Sequence, residues 1–402
     1  VEYRCRVRHA VNFSRMMSLS VADSSQNFFG QIMRRINLNS AEQWALLAMV
    51  AFLPALEAPK KIAVVLFLAS WVINRWRSKE WGGPWSGWDF AALALIGGAY
   101  ASAAFGAFWP EKGLGAANDV LIYSLVFLAL RRSRFEEKFL WRLFAVAIVA
   151  TLLTLLYGYW CLLVTKKRVF LGLNSVGHVN HSAIYMAIIF SMALAWAGAA
   201  IGAWRQRALL WVAVAMLWLS LFVSGARGAL IPVVLFVLLW LFARAGMMRR
   251  ALWKPFLLVV LMLGGAVALV PGVVEKTKGN IEAKELAARR PAVARVALLA
   301  AREYPTFGVG ISNFAKIDPE MVAGWQEKSG QVFDPQDLYF STHAHSLYFN
   351  TLAERGLIGF LPLLAFLTSI GLALYRQRPQ GGAAPLQQTL WGAALGAWVI
   401  TV

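Results

Sequence analysis

The residues best able to do chemistry lie in one stretch, His345–Gly359, which reads HSLYFNTLAERGLIG. His345 and Ser346 stand at the mouth of a hydrophobic segment, with Gly356 and Gly359 following. A titratable side chain at a membrane edge is costly unless it acts. An imidazole of ordinary pKa, about 6.5, is largely neutral near pH 7 and can accept a proton from a hydroxyl. If His345 lies in the first turn of its helix, the positive helix end also disfavours the imidazolium. His343, two residues earlier, would leave a different face of such a helix, so one of the two is expected to face the site. The second resource is arginine, which is always charged and grips phosphate through two parallel hydrogen bonds. Candidates are Arg227, in VSGARGAL, and the loop arginines Arg289, Arg290, Arg295 and Arg302. The plainer reading of Arg227 is a snorkelling helix anchor, and that of the loop arginines a solvated helix face. Against it, Arg227 sits between glycines that permit close approach of a ligand.

Other chemistry is weakly signalled. His178 and His181 are three apart and would share a helix face, but no third metal ligand is evident, and Asn180-His181 reads as a helix start. The acidic pair Asp334 and Asp337 is most simply loop solvation. DxD, GxxxxGK[ST] and GxGxxG motifs are lacking, which argues against a metal-dependent nucleotide-sugar enzyme and against ATP hydrolysis. No cofactor is expected.

The elements that must position these residues are membrane helices. Hydrophobic residues make up 59% of the 402 and only 15% are charged, with 18 Trp and 25 Phe. A soluble domain carries about 25% charged residues. A formal charge of +19 raises nucleic acid as a partner, but the basic residues fall in short loops between apolar runs, the bias that orients membrane helices. Cys5 and Cys161 lie far apart and form no disulfide framework or zinc spacing. The fold class is therefore all-α and polytopic, with about 11–12 transmembrane helices and one long, partly helical loop outside the membrane. Span cores are expected near 43–57, 61–74, 88–109, 117–130, 139–163, 181–202, 208–223, 228–243, 255–271, 350–375 and 386–402. The first two form a hairpin turning at Glu57-Ala58-Pro59.

Four regions follow: a cytoplasmic segment over 1–40, a transmembrane bundle over 41–271, a cap loop over 272–345, and C-terminal transmembrane helices over 346–402. The opening residues hold no apolar stretch of a signal peptide, and Met16 or Met17 is the expected native start. The abrupt apolar end, LWGAALGAWVITV, leads us to expect a continuing chain. With the N-terminus inside, the cytoplasmic loops carry Arg75, Arg77 and Lys79; Arg131, Arg132, Arg134 and Lys138; Arg205 and Arg207; Arg244, Arg249, Arg250 and Lys254; and Arg376 and Arg378. The short outer loops are poorer in basic residues. His345, Arg227 and the cap arginines then share the outer face. In the cap, helical periodicity is expected to break at Pro291 before the Gly- and Pro-rich turn YPTFGVGISNF.

Taken together, these segments resemble the O-antigen ligase and Wzy-C superfamily. HSLYFNTLAERGLIG fits its pattern of His-[Asn/Ser/Gln], nine residues, Gly, two residues and a small residue. ARVALLAAREYPTFGVGISNF is similar to the family's Arg-led helix followed by Pro-x-x-Gly-x-Gly-x-x-x-Phe, and SGARGAL to its outer-face Ser-x-Arg-Gly turn. GHVNHSAIYM resembles a further segment, and the likeness covers about 175 to 360. The resemblance implies a GT-C-like glycosyltransferase of the bacterial inner membrane with its site facing the periplasm. It implies a donor glycan on undecaprenyl diphosphate and inverting, metal-independent transfer. In the ligase branch the acceptor is a sugar of lipid A–core, giving lipopolysaccharide. On this reading His345 is the catalytic base. Arg227 with Arg295 or Arg302 binds the diphosphate, and His181, Asn180 and His343 are further candidates. Membrane lipids are partners and nucleic acid is not. Rivals are an O-antigen polymerase, an O-linked oligosaccharyltransferase and, in another class, a lipid-linked glycan transporter. A transporter should place charges near the membrane midplane, whereas these lie at its edge.

This topology is testable by labelling. Cysteines placed at Lys112, Asn174 and Glu327 should react with an impermeant thiol reagent from outside, and those at Ser78, Arg134 and Arg378 should not. Labelling of the cap from the cytoplasm alone would overturn the orientation.

Overall fold

The computed structural model describes residues 38–402 apart from 109–111, 169, 177–178, 200–202, 249–280, 331, 333, 335–337 and 381. Most of the 1–40 segment, the expected span at 255–271, the start of the cap, His178 and Asp337 therefore lie outside the described residues. Within them the chain is all-helical. In order, the helices are α1 (Leu38–Phe52), α2 (Glu57–Ser78), α3 (Gly87–Phe105), α4 (Gly113–Arg132), α5 (Glu137–Tyr159), α6 (Val179–Gly198), α7 (Trp204–Val223), α8 (Arg227–Met248), α9 (Ile281–Glu303), α10 (Pro319–Lys328), α11 (Leu347–Arg376) and α12 (Pro385–Thr401).

Six of these helices are long and apolar enough to cross a membrane: α3, α4, α5 with the π-turn that extends it to Val164, α6, α7 and α11. The other expected spans in the described residues are helices too, but shorter or more charged. α1 has 15 residues, about 22 Å at 1.5 Å per residue against a hydrocarbon core of about 30 Å. α2 carries Glu57, Lys60 and Lys61 at one end and Arg75 and Arg77 at the other. α8 contributes an apolar run of 17 residues or fewer, and α12 has 17 residues. The first hairpin turns earlier than its sequence suggests. Residues 53–56 make the turn, and Pro59 sits inside the first turn of α2, where a missing N–H costs no helical hydrogen bond.

Glycine contacts fix the directions of the inner helices. Gly396 of α12 lies against Ser191 of α6 and Phe236 of α8, while Gly392 lies against Ala195 and Trp240. α12 therefore runs antiparallel to both. Its C-terminal end shares a level with the N-termini of α6 and α8. The buried core around these helices includes Met186, Phe190, Leu217, Val233 and Phe236. In the same way, Ser102 of α3 meets Glu354 of α11, Gly98 meets Ile358, and Trp88 meets Phe366, so α3 and α11 are also antiparallel.

α11 is two helical pieces joined at Gly356, whose φ of 56° and ψ of −160° are non-helical. A break leaves carbonyls of the upper piece and N–H groups of the lower piece without helical partners. The turn at 305–310 supplies both. Val309 N donates to Ala353 O at 2.9 Å and Gly310 N to Glu354 O at 3.0 Å. Leu357 N and Ile358 N donate to Pro305 O and Thr306 O at 2.8 and 3.2 Å. The Glu354 side chain accepts from Phe314 N at 3.2 Å, and Ser102 Oγ donates to Glu354 O at 2.8 Å. Ala107 and Phe108, just past α3, donate to Gly308 O and Val309 O. The turn is thus stitched to α3 and to both halves of α11.

α9 continues through Pro291 instead of breaking there. Pro291 is on the exposed side of the helix, where the carbonyl deprived of its donor can be hydrated. The opposite side buries Val293, Val296, Ala297 and Ala300 against Val309, Phe314, Val322, Trp325, Ala344 and Ala353. This is the core of the cap. Lys328 of α10 pairs with Glu303 of α9 at 2.8 Å, and the neighbouring carboxylate raises the lysine pKa.

A Cβ at Gly356 would stand 2.4 Å from Thr306 O, and the positive φ adds backbone strain. Gly356→Ala should therefore destabilise the purified protein by about 1–3 kcal/mol from the backbone alone. Gly97→Ala, with open space around it, should change little. Thermal unfolding in detergent compares the two, and equal melting temperatures would refute this account of the break.

Candidate active site

The His345 segment enters α11 through Ser346. This residue is the N-cap, and its hydroxyl accepts from Phe349 N. Asn350, one turn into the helix, reaches back and accepts from Ala344 N at 3.0 Å. Ala344 itself is buried in the cap core at 4% exposure. These two restraints hold the segment from below, and the histidines on either side of Ala344 are both exposed.

His345 has φ of 53°. Left-handed backbone at a residue bearing Cβ costs roughly 1–2 kcal/mol and persists only where the surroundings impose it. Ser341 Oγ lies 3.3 Å from His345 Nε2. Thr342 Oγ1 lies 2.9 Å from His343 Nδ1. The two imidazole rings are 4.3 Å apart. This corrects the helical expectation for the pair. α11 begins at Leu347, so neither histidine is in the helix, and residues flanking a buried one in non-helical chain can emerge on the same side. His343 is a neighbour of His345, not a residue of another face.

The cap arginines divide into two groups. Arg295 and Arg302 are seven residues apart on α9, two turns, and both are exposed. Their side of the helix is opposite the one that packs toward Ala344 and Ala353. Arg289 does approach the histidine segment. Its guanidinium stacks over Tyr339 at 4.7 Å, six residues before His345. Sequence alone gives Arg289 no separate place among the cap arginines; the signal that could mark it is Tyr339, an aromatic residue late in the loop.

Arg227 is the first residue of α8, and its side chain lies outside the described atoms. Asn180 and His181 lie in the first turn of α6 and are exposed, as their helix-start reading expected. Tyr348, three residues past His345, donates to Val402 O at the C-terminal end of α12 at 3.2 Å. Because α12 is antiparallel to α6 and α8, the N-termini of those helices share that end of the bundle. Arg227, Asn180, His181, His343 and His345 are therefore all at one end, with the cap. Among the described residues no three His, Cys, Asp or Glu side chains cluster as a metal would require.

The arrangement is a multi-pass helical membrane protein whose cap holds a strained, exposed histidine over the ends of its helices. A family model described as Wzy_C, O-antigen ligase, matches residues 211–364, which run from α7 through the cap and past the Gly356 break into the lower piece of α11. Over those residues the chain is similar to the O-antigen ligase domain, whose family members are glycosyltransferase-like enzymes. None of the curated proteins matches the chain.

Arg289 should tether the segment that carries the histidines. A cation–π contact at such a site is worth about 0.5–1 kcal/mol. In Arg289→Ala, amides over 338–346 should exchange with deuterium about two- to fivefold faster, while those of α6 are unchanged. Unaltered exchange at 338–346 would show that the contact restrains nothing.

Proposed function

We propose that the protein is an O-antigen ligase that transfers a glycan from undecaprenyl diphosphate to a sugar hydroxyl of lipid A–core at the periplasmic face of the bacterial inner membrane. The observation that carries this reading is the placement of His345. It is exposed, conformationally strained, held by the cap, and at the same end of the bundle as the start of α8 with Arg227, inside the segment that matches the O-antigen ligase model.

The chemistry follows from the groups. The acceptor hydroxyl gives its proton to His345, and its oxygen bonds to the anomeric carbon. The bond from that carbon to the diphosphate oxygen breaks, and undecaprenyl diphosphate leaves with the electron pair. A single displacement inverts the anomeric centre. Charge builds on the leaving diphosphate, and Arg227 with Arg295 or Arg302 neutralises it, since guanidinium binds phosphate oxygens in pairs without a metal. His343, 4.3 Å from His345, orients the base and the acceptor. Asn180 and His181 line the approach from α6. The prenyl tail lies among the spans, and the glycan lies beneath the cap.

Purified protein supplied with a defined undecaprenyl-diphosphate glycan and lipid A–core should form the joined product. Lipid-linked glycan alone should not be extended, as a polymerase would do, and a Ser- or Thr-bearing protein should not be modified. His345→Ala should lower the rate about 10²–10⁴-fold while the donor still binds. Arg227→Ala should lose at least about 10²-fold, with Lys restoring only part. Activity should survive EDTA. A near wild-type rate in His345→Ala would remove the base assignment. Product on lipid-linked glycan alone would reassign the acceptor.

A further inference from the structure

At the end of the bundle away from His345, the structure contains a cavity of about 740 Å³ between α1, α2, the 79–86 loop and the junction of α4 and α5. Its place follows from α3, which runs from this end at Asp89 to the cap turn at Gly106. The site is built. Asp89 is fully buried and accepts from Arg132 Nε at 2.9 Å, with Arg131 Nη2 also at 2.9 Å. Ser86 completes this cluster by hydrogen-bonding both Asp89 and Arg131. Arg132 Nη1 donates to Trp81 O at 2.6 Å, and Trp85 covers the guanidinium at 4.6 Å. On the other wall, Glu42 is held by Asn74 at 2.9 Å and Ser133 at 2.9 Å, and Arg75 Nη2 donates to Ser133 Oγ at 3.2 Å.

Two donors of this network remain unspent. Arg132 is 7% exposed and lines the cavity, yet its Nη2 has no hydrogen-bond partner, and neither does the buried Nε of Arg75. A buried guanidinium nitrogen without an acceptor is costly, and an anion seated beside these two side chains would supply compensating negative charge. The rim is of mixed sign. Lys79 and Arg134 stand there with Glu80 and Glu136, and all four are exposed. The cavity therefore offers Arg75 and Arg132 beside the buried Glu42 on its floor, and both cations and carboxylates at its mouth. Trp76, Trp81 and Trp85 are exposed around the same end, at 67%, 46% and 54%, as indoles are where a helical bundle meets lipid headgroups.

We infer that this cavity binds the headgroup of a zwitterionic phospholipid, with the phosphate on Arg75 and Arg132 and the ammonium toward Glu80 and Glu136. A soluble anion would have no use for the carboxylates or for the tryptophan belt. A purely anionic headgroup would bring no cation to Glu80 and Glu136. The inference is independent of the transfer reaction, which occurs at the other end.

The test is native mass spectrometry of the full chain released from detergent, titrated in parallel with phosphatidylethanolamine, phosphatidylglycerol, O-phosphoethanolamine and inorganic phosphate. Wild type should bind phosphatidylethanolamine about tenfold tighter than phosphatidylglycerol, and either lipid tighter than the two soluble probes. Arg75→Gln should weaken both lipids about tenfold. The rim double variant Glu80→Gln/Glu136→Gln touches no buried contact and so keeps its fold. It should lose the preference for phosphatidylethanolamine and keep phosphatidylglycerol binding. Equal binding of the two lipids by wild type, or soluble probes that bind as well as the lipids, would overturn the inference.

Discussion

Everything at the cap end depends on one broken helix. Continuing α11 straight through would satisfy its own backbone and leave the 305–310 turn with nowhere to dock. Breaking it at Gly356 exposes two carbonyls and two N–H groups, and the turn accepts and donates in the same four places. Only a residue without Cβ fits on both sides. Gly356 would drive a Cβ into Thr306 O, and Gly308, with φ of 69°, would drive one into the Glu354 backbone at 2.4 Å. The exchange of four hydrogen bonds in a dry site is cooperative, because losing the turn leaves every one of those groups unpaired.

The consequence reaches the site by a short path. Ala353, whose carbonyl takes one of these hydrogen bonds, shares a buried cluster with Ala344. Ala344 fixes the backbone from which both histidines emerge, and Asn350 ties it to the first turn of the upper piece. The left-handed backbone of His345 is thus imposed by packing behind it, and its ring is held without being buried. As the proposed base, His345 would need this combination of fixed position and open access to meet a large acceptor. The cap, in turn, is joined to the bundle through α3, whose end donates to the turn at Gly308 and Val309.

How much of this was legible in the sequence differs by element. The membrane helices were visible because their apolar runs are long, and the His-to-Gly spacing and the Pro-x-x-Gly-x-Gly turn were visible as motifs. What the glycines do was not, since the break is defined by a turn some fifty residues earlier in the chain and spacing alone cannot report that partner. A helix extended back over 343–345 would send the two histidines to different faces, but Ser346 is the N-cap and Ala344 is buried. Pro291 does not break its helix because it lies on an exposed face, which local sequence cannot report. Arg131 and Arg132 looked like loop charges that orient spans. Their partner, Asp89, is more than forty residues away and its burial appears only in three dimensions. Arg227, Arg295 and Arg302 stand out by residue type, by outer-face placement and by the family resemblance, and their part in transfer rests on the proposed chemistry.

The central claim is that the cap turn and the break in α11 form one cooperative joint that holds the histidine segment. Residue-resolved hydrogen exchange in lipid nanodiscs measures it directly, on the amides of Val309, Gly310, Leu357 and Ile358. All four should be protected in the wild type to a similar degree, and all four should lose protection together in Gly356→Ala. Rapid exchange at these amides in the wild type, with α9 and both halves of α11 still protected, would contradict the account.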